Sequence, residues 1–122
     1  MLSNSNWSEW ELLMKANIGA PNWTYLTTPK PILDNTLLTG LLDAQGNPTQ
    51  ASVDYTNRVT RHAEKWEKKQ LKLHPRLVLS TAECNHAQTI ALEHANSSAY
   101  VLFNALQTRF KDASSETRTY HI

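Results

Sequence analysis

Apolar residues return every three or four positions over most of this chain, and no alternation with a period of two is long enough to suggest a strand. Trp7, Trp10, Leu13 and Met14, with Asn17 behind them, follow one face of a first helix that Gly19 and Pro21 end; Ser8 and Glu11 have the spacing of a capping box at its start. From Ala20 to Pro31 three prolines interrupt the periodicity and predict a loop, which Trp23, Tyr25 and Leu26 are apolar enough to hold against the body of the protein. Ile32 to Leu42 predicts a short helix with Leu33, Leu37, Leu38, Leu41 and Leu42 inward, closed by the turn-forming Gln45-Gly-Asn-Pro.

The longest periodic stretch is Thr49 to His74, with Val53, Val59, Ala63, Trp66 and Leu73 near one face, and Pro75 then ends that helix or begins the next. A further helical pattern from Arg76 to His94 offers Leu77, Leu79, Ala87, Ile90 and Ala91 to a core. Asn96-Ser97-Ser98 supplies N-cap candidates for a last helix carrying Val101, Leu102, Phe103, Leu106 and Phe110. The expectation is an all-α bundle of about five helices over residues 1–114, with 115–122 as a tail or the start of a following segment.

A length of 122 residues suits one domain. Formal net charge is +1, with both signs mixed along the chain, so composition does not demand a nucleic-acid or membrane partner. The single cysteine, Cys84, excludes an internal disulfide and fits a reducing compartment. The start lacks the basic and apolar regions of a signal peptide, and no apolar run approaches the roughly 20 residues needed to span a bilayer, so a cytoplasmic location without membrane contact is expected. The matches to a glycosylation acceptor at Asn6, Asn22 and Asn96 then have no consequence.

Candidate chemistry is sparse. Cys84 and His86, with His62, His74 and His94 elsewhere, supply one thiol where structural zinc normally takes paired ligand clusters, and His86 points to a different helical face from Cys84. Glu64, Glu67 and Glu83 form no acid–base pairing with histidine, and their spacing from Lys68 suits ion pairs on a helix surface. The three glycines stand apart, which leaves no phosphate loop. We therefore expect no catalytic residue, metal, cofactor or small-molecule substrate. Arg58, Arg61, Lys65, Lys68, Lys69, Lys72 and Arg76 make one locally basic run, interrupted by Glu64 and Glu67. It is either a solvated helix face, the favoured reading, or a surface for phosphates.

The order of these features is more telling than any one of them. Trp7-x-x-Trp10-x-x-x-Met14, a Pro-containing loop, Trp66 in a charged helix, and Ala99-x-x-x-Phe103-x-x-Leu106-x-x-x-Phe110 together resemble the Gag polyprotein of copia-type LTR retrotransposons. That family closes on a similar helix with tryptophan where Phe103 stands here. The resemblance runs from about Asn6 to Ser114 and implies the N-terminal, capsid-forming part of Gag. It implies self-association as a weak dimer or oligomer, or binding to a longer Gag, in assembling a virus-like particle, with RNA as a further partner. Such a Gag would continue beyond Ile122 into a second capsid lobe and often a zinc knuckle, which implies either a fragment or a truncated, domesticated copy regulating assembly. A helical nucleic-acid-binding domain is the third reading.

Overall fold

The computed structural model of the chain describes residues 2–3 and 5–120, with 112–120 described as helical backbone alone. Six helices follow one another, α1 Trp7–Ile18, α2 Ala20–Thr27, α3 Asn35–Gly40, α4 Gln50–Ser80, α5 Asn85–Glu93 and α6 Ala99–Tyr120, and no strand occurs among the described residues. The fold is all-α, with one helix more than the periodicity suggests. The chain divides into two units, one formed by Met1–Pro29 with Lys69–Ile122 and the other by Lys30–Lys68.

In the first unit, α2 packs on α1 and α6, α1 also packs on α6, and α5 joins α6. The extra helix is α2, which replaces the loop expected from Ala20 onward. Pro21 lies in its first turn, where a missing N–H costs no helical hydrogen bond. Gly19 makes the corner at φ 88°, a conformation that disfavours any side chain, and its carbonyl accepts the N–H groups of Asn22 at 3.1 Å and Trp23 at 3.0 Å. Helical spacing then turns both Trp23 and Leu26 inward, and both are buried. The capping box at Ser8 is not formed: Ser8 lies inside α1, and Asn6 is the N-cap residue. The Asn6 Oδ1 accepts the N–H of Ser3 at 2.7 Å, which ties down the segment before the helix.

Pro75 does not interrupt α4, contrary to the expected break. A proline inside a helix forfeits the bond to the carbonyl four residues back, here that of the exposed Leu71, which can turn to water. The flanking residues Leu73 and Leu77, four apart and both buried, keep the helix continuous because each must face the same core. The chain breaks instead at Thr81–Cys84. Similarly, α6 continues as helix through the Ser/Thr-rich stretch after Lys111 to Tyr120; His121 and Ile122, the end of the expected tail, lie outside the described residues.

The second unit holds α3 and the N-terminal part of α4. Asp34 caps α3 by accepting the N–H groups of Thr36 at 3.0 Å and Leu37 at 3.2 Å, and its own N–H donates to the Tyr55 hydroxyl at 3.0 Å. Asp43 organises the following turn, accepting from Gln45 and Asn47. Thr49 and Ser52 start α4 by reciprocal bonds between backbone and hydroxyl. The leucines expected inward are not buried: Leu33 and Leu37 are exposed and Leu38, Leu41 and Leu42 are half-buried. A helix of six residues stands here on its cap and on Tyr55 rather than on an apolar face. The buried side chains of this unit are Ser52, Tyr55 and Trp66.

Candidate functional site

Aromatic residues from the N-terminal and C-terminal parts of the sequence meet in the core of the first unit. Phe103 on α6 is the hub, with ring centroids 5.8 Å from Trp7, 6.5 Å from Trp10 and 5.1 Å from Trp23, the last edge-on; Trp7 and Trp10 lie 4.8 Å apart. Ala99, Leu102, Leu106 and Phe110 continue the α6 stripe into the same cluster, and Met14 packs against it half-buried. The Trp7 and Trp10 indole N–H groups are buried without a hydrogen-bond partner among the described residues, so shape and apolar area hold these rings in place. Trp66 is also buried, but it belongs to the second unit and lies outside this cluster.

Alongside that core, α1 and the C-terminal end of α4 enclose an open groove of about 520 Å³. Buried Trp10 and half-buried Met14 supply its floor, while Leu13 and Leu79 line it with 59% and 68% of their surface exposed. Both leucines are expected core residues by periodicity, and both face outward. The reason is rotational: burial of Trp7, Trp10 and Ile18 on α1, and of Leu73, Leu77 and Ser80 on α4, turns each leucine beyond the packed stripe. Glu9 from one wall and Arg76 from the other are the charged residues of a lining that also includes Asn6, Asn17 and Ser80, and neither has an ion-pair partner among the described residues.

The basic run divides. Arg58, Arg61, Lys65 and Lys68 belong to the second unit, are all exposed, and recur at intervals of three and four along α4, which places them on one stripe. The pairing expected between Glu64 and Lys68 is not made; the only ion pair among the described residues joins Lys30 and Glu67. Asp34 and Asp43 are occupied by backbone N–H groups and Asp54 accepts from the Gln50 amide at 2.9 Å. Arg58 stacks over Tyr55 at 5.7 Å. Lys69 leaves the stripe, contrary to expectation. One residue beyond Lys68, it is rotated by about 100°, and its Nζ donates to Asn22 Oδ1 at 3.0 Å beside the Tyr25 ring. Lys72 is exposed in the first unit.

Gln70 is a polar residue that periodicity does not single out, although it is 4% exposed. Its Nε2 donates to the Tyr25 carbonyl at 2.8 Å and its Oε1 accepts the Tyr100 N–H at 2.7 Å, joining α4 to the end of α2 and the start of α6. Cys84 is buried at the N-cap of α5, His86 is exposed, and His74 Nε2 lies 2.9 Å from the His94 carbonyl. Among the described residues no three of the His, Cys, Asp and Glu side chains converge as metal ligands would. No helix is long and apolar enough to cross a membrane, again among the described residues. No protein-family model matches the chain, and no match is found among curated proteins or solved structures.

Proposed function

We propose that this chain is a capsid-like, self-associating structural domain of the copia-type Gag kind, working in the cytoplasm in the assembly of retrotransposon virus-like particles. The observation that carries the proposal is the convergence of Trp7, Trp10, Ala99, Phe103, Leu106 and Phe110 in one core. These are six of the positions on which the sequence resemblance rests, and they come from opposite ends of the chain; Trp66, another of them, is buried outside this core. A resemblance made of spaced aromatics has physical content when those aromatics form one packed cluster. The outward-facing leucines of the first unit add a motive for association, because side chains such as Leu12, Leu13, Leu79 and Leu92 gain free energy when a partner covers them.

Weak, repeated contacts are what reversible assembly requires of such a domain, since their number supplies the strength. Sedimentation of the full chain from micromolar to millimolar concentration tests the proposal, together with binding to a longer Gag carrying the same lobe. A mass that rises with concentration is expected. A chain that stays monomeric throughout and ignores the longer Gag removes the support for assembly.

The stripe of Arg58, Arg61, Lys65 and Lys68 favours a second reading, contact with the phosphate backbone of RNA. Four exposed cations, none ion-paired among the described residues, attract a polyanion by counterion release, independently of base sequence. The same surface suits a domesticated module that regulates assembly through binding rather than by building a particle.

A further inference from the structure

The geometry points to the groove between α1 and the end of α4 as the contact surface between two copies of this chain, related by a two-fold axis, with Glu9 of each copy paired to Arg76 of the other. This inference rests on the self-association proposed above and names the surface that performs it.

A two-fold contact uses one patch twice, so the patch must complement itself: whatever residue i meets on the partner, its counterpart meets in return. Most charged patches fail that requirement because a single sign repels its own copy. The α1–α4 groove satisfies it, since its lining holds one carboxylate from one wall and one guanidinium from the other. Within one copy these two charges make no ion pair. Opposed across a two-fold axis, they form two equivalent Glu9–Arg76 pairs. In the same groove, Leu13 and Leu79 are largely exposed above a floor of Trp10 and Met14, so the same superposition covers four leucine side chains. The leucines supply the affinity, and the charge pairs set the direction in which the copies meet, because rim ion pairs contribute little binding of their own.

The test uses the full chain and four variants, each altering exposed side chains so that the core is left intact: Glu9→Arg, Arg76→Glu, the two combined, and Leu13→Ser with Leu79→Gln. Folding of each is checked by circular dichroism, and association is measured by sedimentation equilibrium. Removing both leucines is expected to weaken the dimer at least about tenfold. Each single charge reversal places like charges face to face twice and is expected to weaken it by about three- to tenfold.

Mixing the two single-reversal proteins is the decisive arm. In the mixed dimer Arg at position 9 of one chain faces Glu at position 76 of the other, and the native Glu9 faces the native Arg76. Association is therefore expected to return to the wild-type level, as it is for the doubly reversed chain with itself. If the wild-type chain associates but all variants associate equally well, or the mixture is no tighter than its components, the groove is not the contact and the self-association reading survives without it. A wild-type chain that never associates overturns both. Rescue on mixing is specific to contact between chains, so an intramolecular role for either charge does not produce it.

Discussion

Replacing Gln70 by leucine tests the packing of the first unit at its most polar point. The side chain is buried, and its two bonds reach the Tyr25 carbonyl in the last turn of α2 and the Tyr100 N–H in the first turn of α6. Helices leave such terminal groups unpaired unless something else meets them. One amide here meets an end of each of two helices, which also fixes which atom is oxygen and which is nitrogen. Leucine has nearly the same size and removes both bonds, taking one partner from the Tyr25 carbonyl and one from the Tyr100 N–H. Each bond contributes about 0.5–1.5 kcal/mol and each buried group left unpaired costs about 1–3 kcal/mol. Because Tyr25 and Tyr100 are half-buried, water relieves part of that penalty, and we expect a net loss of about 2–4 kcal/mol. With a urea m-value of about 2 kcal/mol/M, the unfolding midpoint falls by about 1–2 M at unchanged slope. The adjacent Leu71→Gln, at a position 78% exposed, stays within about 0.5 kcal/mol of the parent. Gln70→Glu separates the two bonds, because a carboxylate accepts from Tyr100 but opposes the Tyr25 carbonyl, and only the protonated acid donates to it. Burial raises that acid's folded-state pKa above its unfolded value of about 4.3, so the variant is most stable below that value and loses stability as pH rises through the folded pKa. A Gln70→Leu midpoint indistinguishable from the parent, or a Gln70→Glu chain equally stable at acid and neutral pH, refutes the bridging role.

Three further outcomes are expected. Phe103→Ala removes the ring shared by Trp7, Trp10 and Trp23 and is expected to destabilise the chain by about 3–5 kcal/mol in urea unfolding, and an unfolding curve that barely moves rejects the hub. Pro75→Ala restores an N–H inside α4 at an exposed position and is expected to raise stability by about 1–3 kcal/mol; a lower melting temperature shows that the proline itself is needed. For the basic stripe, fluorescence anisotropy with a single-stranded RNA oligonucleotide should show affinity falling with salt at a slope of about −0.7 for each phosphate neutralised, and Arg61→Glu with Lys68→Glu should flatten that slope. Binding that ignores salt, or that survives the double reversal, assigns the stripe to solvent.

How far the sequence discloses this fold depends on how many constraints act on each stretch. The α6 stripe is legible because Phe103, Leu106 and Phe110 satisfy a helical period and all three are buried, and Ser98 caps that helix at the Val101 N–H as the Asn96-Ser97-Ser98 run suggests. The α2 helix was hidden because proline is both a breaker and an acceptable first-turn residue, and only Gly19, by taking a positive φ, decides which role Pro21 plays. Pro75 misleads in the opposite direction: local propensity favours a break, and burial of Leu73 and Leu77 on either side overrides it.

The surfaces were harder to see than the core, for a geometric reason. Periodicity places Leu13 with Trp10 and Met14, and Leu79 with Leu77, but an apolar residue at the edge of a stripe turns inward or outward according to the diameter of the neighbouring helix, which no single segment encodes. Here the large rings of Trp7 and Trp10 on α1 and Phe103 on α6 fill the space between those helices, and the edge leucines are left outside. The same logic separates stability from association. Side chains exposed by more than half contribute little to the core, so Leu13 and Leu79 are not explained by folding. Glu9 and Arg76 are exposed as well, without an ion-pair partner among the described residues, and are likewise unneeded for the fold. Four residues dispensable for folding, grouped around one groove and complementary under a two-fold rotation, are better accounted for by a second copy than by chance placement on a solvated surface.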